Sequence, residues 1–371
     1  VALGDVDGDG ASDLLLGAVG SDGAGADAGK AYLVRGPIAG GSVAEQAHAA
    51  WLGEASLDYA GSSVALLDVD GDGADDVLVG AQGNGAGGVT GGRVYLFRSP
   101  VEAGPGALAS ADATITGLGP DTVAPPHGAP SVGDGLGSVV ANAGDVDGDG
   151  LEDVLLGANG ADDGGVDGGS AGLFFGPLAD GDRAFRDADR FWYGVGDGLY
   201  VGDSVAPAGD LDDDGYDDVM IGGDAPVAGA PGPGVVWLVR GPGVAGQLDI
   251  ETAETRIVGE NPGDLAGAYT SAAGDTDGDG HADLLIGAYG VDLNDYNEGA
   301  AYLVHGPFAP GAVALADVRP RWVGTVDGAS AGSAVAGGAD LDGDALPDLL
   351  IGARYDTTGG SFAGQAYVVL P

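Results

Sequence analysis

A nine-residue acidic pattern recurs six times and constrains the fold of this chain more than any other feature. The pattern is Asp-x-Asp-x-Asp-Gly-x-x-Asp, with Ala in place of Gly in the last copy, and it begins at Asp5, Asp68, Asp145, Asp210, Asp275 and Asp340. The last three intervals between these starts are equal, and the interval from Asp68 to Asp145 is the longest. Such a period indicates a repeat architecture in which each repeat is one supersecondary unit that packs against its neighbours.

Four short apolar segments recur around each acidic pattern. A run of small residues and valine precedes it, as in Gly61–Ala65, and an apolar run ending in Gly-Ala follows it, as in Val77–Ala81. After a Gly-rich turn, which we expect to vary in length, come a third segment such as Val94–Phe97 and a weaker fourth such as Arg256–Gly259. Short β-branched and aromatic runs bounded by Gly, Pro and Asp are typical of strands, so the sequence predicts an all-β protein.

Four strands in each repeat correspond to one blade of a β-propeller. The sequence therefore predicts a single β-propeller domain over residues 1–371, built from four-stranded blades with six loops visible, and hence six or seven blades. The first segment suits the crowded position beside the central axis, and the second suits a strand buried on both faces. A stacked β-solenoid is the alternative, but its repeats are usually shorter.

These motifs resemble a known family. The succession Gly-Ser-Val, acidic loop, Leu-Leu-x-Gly-Ala and Tyr-Leu-Val is similar to the FG-GAP repeats of the integrin α-subunit β-propeller and its bacterial relatives. The Phe-Gly at the start of the family pattern is replaced here, for example by Tyr59-Ala60-Gly61 and Leu136-Gly137. Integrin heads carry seven blades, whereas this chain shows six loops.

The composition of the loop points to calcium. Ca²⁺ takes six to eight oxygen ligands. A nine-residue loop can supply them from side chains at positions 1, 3 and 5, the main-chain carbonyl at position 7 and a bidentate carboxylate at position 9. We therefore predict up to six Ca²⁺ ions, one per repeat. The predicted ligands are Asp5, Asp7, Asp9, Ala11 and Asp13; Asp68, Asp70, Asp72, Ala74 and Asp76; Asp145, Asp147, Asp149, Leu151 and Asp153; Asp210, Asp212, Asp214, Tyr216 and Asp218; Asp275, Asp277, Asp279, His281 and Asp283; and Asp340, Asp342, Asp344, Leu346 and Asp348.

Alternative explanations of the loop are weaker. Four carboxylates in one short loop repel each other unless a cation lies among them, and six solvated Asp-Gly turns in register are improbable. EF-hands and dockerins place a helix after the acidic stretch, but here a strand follows at once. Position 6 requires a sharp turn and is Gly in five copies. Because it is Ala345 in the sixth, we expect that loop to be the most strained or the weakest.

The charge of the chain limits its partners. The chain has 12 Lys and Arg and 58 Asp and Glu, which gives a formal net charge of −46, and it contains no Cys. Nucleic acid is therefore excluded as a partner, because phosphate binding needs clustered basic residues. No apolar run is long enough to span a membrane. Nothing requires an enzyme: Ser170 in Gly168–Gly172 matches a nucleophile elbow, as expected by chance in a chain with 77 glycines.

The surface opposite the acidic loops is the expected place for a partner. Antiparallel strands put the 2→3 and 4→1 connections on that face, and loops on a rigid scaffold commonly carry function. We predict an unknown protein or glycan ligand there, contacted by Tyr289, Asp292, Asp295 and Tyr296 together with the Pro-rich insertion 119–135. Integrin propellers, by resemblance, engage ligands on this face.

Three roles remain open from sequence. The first is an extracellular or cell-surface adhesion or structural module that calcium rigidifies. The second is an accessory propeller of a secreted lyase or phospholipase. The third is a fibre subunit that assembles head to tail. Val1 aligns within a first strand, and Ala366–Val369 is a third strand with no fourth after it. We expect a longer chain or a strand added by another subunit.

Overall fold

The computed structural model describes residues 1–38, 40–85, 90–117, 133–224, 232–292 and 296–371. Within these ranges the protein is all-β, and its strands form six sheets of the propeller-blade type. Each sheet holds the strands of one repeat in antiparallel order, and we number the six sheets blade 1 to blade 6 along the chain. The predicted fold class is confirmed.

Blades 1 to 3 contain the first half of the strands. Blade 1 comprises β1 (Ala2–Gly4), β2 (Asp13–Gly17), β3 (Lys30–Val34) and β4 (Ala49–Leu52). Blade 2 comprises β5 (Ala60–Leu67), β6 (Asp76–Ala81), β7 (Arg93–Phe97) and β9 (Ala113–Thr116). Blade 3 comprises β10 (Val139–Asn142), β11 (Val154–Ala158), β12 (Ser170–Phe174) and β14 (Arg190–Tyr193).

Blades 4 to 6 repeat this plan, with fewer strands in the last. Blade 4 comprises β15 (Ser204–Gly209), β16 (Asp218–Gly223), β17 (Val235–Val239) and β19 (Thr255–Val258). Blade 5 comprises β20 (Ala266–Gly274), β21 (Asp283–Ala288), β22 (Ala300–Val304) and β24 (Arg321–Val323). Blade 6 comprises β25 (Ala331–Ala339), β26 (Asp348–Ala353) and β27 (Gln365–Val369).

Four blades carry a fifth strand that the sequence did not predict. In blades 2 to 5, the connection from the third to the fourth strand forms a short strand and then a one-turn 3₁₀ helix. We call this unit the clip, and its strand joins the sheet of the preceding blade. The clip strands are β8 (Gly104–Ala107), β13 (Gly181–Ala184), β18 (Gly246–Asp249) and β23 (Gly311–Ala314), and their 3₁₀ turns are Leu108–Ser110, Phe185–Asp187, Ile250–Thr252 and Leu315–Asp317. Each clip strand lies beside the fourth strand of the preceding blade; β8, for example, pairs in parallel with β4.

The burial of the strands follows the sequence pattern. Every residue of β6, β11, β16 and β21 is buried, as expected for second strands that are covered on both faces. The glycine one residue before the end of β6 allows close packing between successive blades. A Cβ at Gly80 would lie 2.2 Å from the carbonyl oxygen of Gly137, so a side chain there would push blade 3 away from blade 2.

One predicted feature of the repeat is wrong. The turn between the second and third strands does not vary in length. The residue after the third strand lies at the same distance along the chain from the ninth loop residue in every repeat, from Asp13 to Arg35 in the first and from Asp348 to Leu370 in the last. Only the sequence of this turn varies, so the turns carry different side chains while their length along the chain stays the same.

The chain divides into two compact units. The first contains Val1–Asp145, Asp149–Tyr193 and Val244–Leu248, and the second contains Val146–Gly148, Gly194–Gly243 and Asp249–Pro371. Two apolar clusters in the first unit surround Leu156 and Tyr95, and the largest cluster in the second surrounds Ile286. The single-domain assignment over residues 1–371 stays a prediction.

Helix is scarce in the described ranges. The single α-helical turn is α1 (Val43–Gln46), on the surface between β3 and β4. No helix of the described chain is long and apolar enough to cross a membrane.

Candidate metal centres

Each acidic loop connects the first strand of its blade to the second. Position 1 organises the loop by accepting backbone hydrogen bonds on its carboxylate. In the first loop, Asp5 Oδ2 accepts from the N–H of Gly10 at 2.8 Å and Asp5 Oδ1 accepts from that of Asp9 at 3.1 Å. The bond from position 6 to position 1 recurs in all six loops at 2.8–3.0 Å. This turn holds the carboxylates of one loop close together.

The carboxylate at position 5 bends the loop a second time. Its Oδ1 accepts from the N–H of position 7, as in Asp9 with Ala11 at 2.8 Å and Asp214 with Tyr216 at 3.1 Å. This is a backbone role that is independent of the side chain at position 7, which explains why that residue varies freely. The ligation predicted for the carbonyl at position 7 stays a prediction.

Position 9 begins the second strand in five blades and directly precedes it in blade 3, and it is buried in every loop. The residues are Asp13, Asp76, Asp153, Asp218, Asp283 and Asp348, none more than 3% exposed. In the first loop, Asp13 Oδ2 accepts from the N–H of Val6 at 2.9 Å and Oδ1 accepts from that of Gly36 at 2.7 Å. The buried carboxylate therefore joins the loop to the chain after the third strand, in addition to the bidentate ligation that we predict for it.

In loops 1 to 5 the structure brings two or three of the predicted side-chain ligands together. Three ligand atoms lie within 4.8 Å of one another in each of several acidic groups. The groups are Asp5, Asp7 and Asp13; Asp68, Asp70 and Asp72; Asp145, Asp147 and Asp153; Asp210, Asp212 and Asp218; and Asp277, Asp283 and His305. His305 was not among the predicted ligands. It directly follows β22, and the constant distance of this position from the ninth loop residue is the signal that could have revealed it.

Buried oxygens in the loops fit a hard cation. Asp7 Oδ1 and Asp70 Oδ1 are buried and have no hydrogen-bond partner. Asp76 Oδ2 is buried without a hydrogen bond of ordinary geometry, although the Val69 N–H is close enough to lower the pKa of that carboxyl. Unsatisfied buried carboxylate oxygens are costly, and an ion with oxygen ligands would satisfy them.

Burial changes the acidity of the ninth position. In Asp76, loss of solvent raises the pKa to about 7, against the opposing effect of a hydrogen bond from the Ser99 N–H. The neighbouring Asp70 carboxylate raises it further. Burial also raises the pKa of Asp218. Hydrogen bonds from Arg240 and from two backbone N–H groups lower it in part. A bound cation would hold these groups ionised.

The sixth loop carries the predicted irregularity. Ala345 adopts φ of 76°, in the left-handed region that a residue with a Cβ rarely occupies. The N–H of Ala345 still reaches Asp340 Oδ2 at 3.0 Å, so the loop keeps its hydrogen bonds. The backbone N–H groups of Gly343 and Ala345 lower the pKa of Asp340. The strain expected at this position is therefore present in the backbone.

Comparison with known proteins identifies the repeats. The FG-GAP repeat model matches residues 60–97, 267–304 and 331–369, each of which spans a first strand, an acidic loop and a third strand. The chain contains FG-GAP repeats at these three places. The chain is similar to integrin α subunits, at 34% identity over 177 residues with human integrin alpha-IIb and 32% over 156 residues with integrin alpha-5 of Xenopus laevis.

The chain covers only a small part of these relatives. The aligned region is 46% of this chain and 15% of integrin alpha-IIb, and 41% of this chain and 14% of integrin alpha-5. Among solved structures, the chain aligns over its full length with 91% of the BBS1N chain in a complex with ARL6DN, at 11% identity and a TM-score of 0.42. That similarity is too low to inform either fold or function.

A cluster of aromatic residues lies on the connections between second and third strands in blades 5 and 6. The Arg354 guanidinium is 5.3 Å from the ring centre of Tyr289 and 4.8 Å from that of Tyr355. Tyr355 meets Phe362 with ring centres 6.0 Å apart, and Phe362 is 74% exposed. Of this cluster the sequence predicted only Tyr289. Alignment of the equivalent turns in successive repeats could have found the others.

The remaining predicted contact residues are placed less fully. Tyr296 is 70% exposed, and Asp292 accepts a hydrogen bond from the Asn297 N–H. Asp295 and residues 119–132 of the Pro-rich insertion lie outside the described residues. Ser170, in the motif that matches a nucleophile elbow, is buried in β12 and donates to Asp163 Oδ2 at 2.8 Å. A nucleophile elbow would instead expose its serine at a sharp turn.

Proposed function

We propose that this chain is a calcium-stabilised binding module that acts outside the cell or at its surface. The observation that carries the proposal is the convergence of carboxylates in the acidic loops of blades 1 to 5, where buried oxygens such as Asp7 Oδ1 lack a hydrogen-bond partner. Up to six Ca²⁺ ions, one per repeat, would be held by the side chains at positions 1, 3, 5 and 9 and the carbonyl at position 7. Calcium is favoured over magnesium because it accepts irregular, carboxylate-rich geometry.

The chain's own residues determine what the ion would stabilise. Position 9 is a buried residue at the start of the second strand, and position 1 closes the turn that follows the first strand. An ion that contacts both positions would fix the connection between these strands and remove the repulsion among the carboxylates. Its effect is therefore structural: it would stabilise the blades that present the loops on the opposite face.

Metal content and thermal unfolding test the calcium proposal. We expect purified protein to retain calcium and to melt at a higher temperature in calcium than in chelator, since a ligand at 100 times its Kd stabilises by about 2.7 kcal/mol per site. Asp68→Asn should reduce this increment, whereas Asp317→Asn, outside the loops, should not. Metal-free protein with a melting temperature that chelator does not change would refute calcium binding.

The partner is proposed to be a protein or a glycan. Support comes from the similarity to integrin α subunits and from the exposed cluster of Tyr289, Arg354, Tyr355 and Phe362. Aromatic side chains and arginine are the residue types that most often anchor interfaces. We infer that the role is not catalytic, although an accessory propeller of a secreted lyase or phospholipase would use the same surface.

Binding to immobilised glycans and extracellular matrix proteins tests this role. The double variant Tyr355→Ala/Phe362→Ala should weaken binding at least about thirtyfold, because the loss of one hot spot costs about 2 kcal/mol or more. Val244→Ala, which truncates an exposed apolar side chain outside this cluster, is the matched control. Equal binding by both variants would remove the cluster from the interface.

A second candidate role is strand-mediated assembly. Trp322 and Val323 of blade 5 and Tyr367 and Val369 of blade 6 line an open groove of about 610 Å³. In blades 1 to 4, a fourth strand and a clip strand occupy the corresponding places. A segment with the same strand and 3₁₀ pattern would fill this groove, whether it comes from the same polypeptide or from a second subunit. In the second case the product would be a head-to-tail fibre. Electron microscopy showing only single particles at high concentration would exclude it.

A further inference from the structure

In four blades a basic side chain follows the third strand and reaches the acidic loop. The residues are Arg35, Arg98, Arg240 and His305, each at the same distance along the chain from the ninth loop residue, whereas Phe175 and Leu370 stand at the equivalent positions of blades 3 and 6. Arg35 Nη1 lies 3.2 Å from Asp7 Oδ2, and Arg98 Nη1 lies 3.0 Å from Asp70 Oδ2. In both loops the contacted aspartate is at position 3.

Arg240 enters its loop more deeply. Its Nη1 lies 2.6 Å from Oδ2 of Asp218, a carboxylate with no exposed surface, and its Nε lies 3.6 Å from Asp212 Oδ2. The guanidinium thus connects positions 3 and 9 of one loop. These are two of the side chains that we predict to bind a divalent cation.

A backbone carbonyl of the following repeat fixes each arginine. Arg35 Nη2 donates to the carbonyl of Val101 at 3.4 Å, and Arg240 Nη2 donates to that of Phe308 at 3.0 Å. Arg98 Nη2 donates to the carbonyl of Leu178. All three carbonyls belong to the fourth residue after a third strand, so the contact is a repeated feature of the fold. The arginines are therefore held in place beside the carboxylates.

We propose that Arg35, Arg98 and Arg240 are built-in counter-ions that compete with calcium for their loops. In the metal-free protein they neutralise part of the carboxylate charge, which lets those loops keep their conformation. When calcium arrives, a fixed positive charge a few ångströms away weakens its binding, because affinity in such loops depends on the net charge of the site. Loops 1, 2 and 4 are thus weaker calcium sites than loop 3, where Phe175 stands in place of the arginine. This inference rests on the calcium binding proposed above.

Replacement of Arg35 separates this role from ordinary packing. Arg35→Met removes the charge and keeps the length of the chain, and Arg35→Lys is the matched control that keeps the charge. We expect Arg35→Met to melt at a lower temperature in chelator but to gain more from saturating calcium than the wild type does. Arg35→Lys should restore most of both values. A purely structural role would lower the two melting temperatures equally, and that result would overturn the proposal.

The reverse substitution provides an independent test. Leu370 is 54% exposed, so Leu370→Arg can be accommodated and would place a guanidinium beside loop 6. In calcium titration calorimetry, one site should weaken about tenfold, while Leu370→Met should leave all sites unchanged. If the wild type binds no calcium, the proposed function fails. If it binds calcium and neither Arg35→Met nor Leu370→Arg changes the affinity, only the counter-ion proposal fails.

Discussion

At the scale of single residues, the ninth loop position combines two tasks that the sequence could only partly separate. Its invariance across six copies correctly placed an aspartate at the start of each second strand. Its hydrogen bonds to the N–H groups of Val6 and Gly36 were not predictable, because a backbone donor leaves no trace in residue identity. A buried carboxylate that accepts hydrogen bonds from backbone donors stabilises the loop even without a bound ion.

The arginines beside the loops illustrate a different limit. Their constant distance along the chain from the ninth loop residue, as from Asp76 to Arg98, could have revealed them. The prediction that the turn varies in length is incompatible with that constant distance. Even with the spacing known, contact with position 3 depends on the direction in which the chain leaves the third strand. That direction is a property of the folded backbone.

Relief of backbone strain at Ala345 should stabilise the sixth loop. Ala345→Gly removes the Cβ from a residue with φ of 76°, so we expect a gain of about 1 kcal/mol in the free energy of unfolding. Urea denaturation at a fixed calcium concentration measures this change.

The matched control is Gly280→Ala, at the same position of loop 5. Gly280 has φ of 94° and an added Cβ would meet no atom within 4 Å, so strain alone should lower stability by a similar amount. If Ala345→Gly were neutral while Gly280→Ala was destabilising, the sixth loop would have relaxed in solution.

At the scale of secondary structure, the three inner strands of each blade were predicted well and the clip was missed. The inner strands are rich in Val, Leu and aromatic residues, which mark them in sequence. The clip strand β8 has the sequence Gly-Pro-Gly-Ala and is largely exposed, so composition argues against a strand there. Only its pairing with β4 makes it one, and that pairing joins distant parts of the chain.

One buried residue in each clip turn should anchor it. Phe185 is 1% exposed and packs edge-on against Phe191 of β14 at 5.1 Å. We expect Phe185→Ala to cost about 3–5 kcal/mol, as for large buried aromatic residues in general, measured by urea denaturation.

Truncation of an exposed residue near another clip provides the control. Val244→Ala, at a side chain that is 73% exposed, should change stability by less than about 0.5 kcal/mol. A cost below about 1 kcal/mol for Phe185→Ala would mean that the clip is not firmly packed.

At the scale of the whole molecule, electrostatic repulsion opposes folding. A formal net charge of −46 raises the free energy of any compact state in which the charges are close together. This net charge can be counted directly from the sequence, because it is a sum over residues. The sequence could not predict which carboxylates converge, because that depends on the loops formed by the fold.

The metal-free protein should therefore be stabilised by salt. With chelator present, raising sodium chloride from about 10 mM to about 1 M should raise the melting temperature, since screening shortens the range of repulsion from about 30 Å to about 3 Å. The same change in saturating calcium should have a smaller effect. A melting temperature in chelator that does not change with salt concentration would contradict this account.

The arginines held beside the loops also affect how long the protein would persist among proteases. Trypsin-like enzymes must draw a basic side chain into a deep pocket, and this chain offers only 12 Lys and Arg. The side chains of Arg35, Arg98 and Arg240 are at most 28% exposed and are engaged in ion pairs. We expect cleavage at these residues to require local unfolding, so the ion pairs that balance charge in the loops also protect three of the twelve Lys and Arg residues in the folded protein.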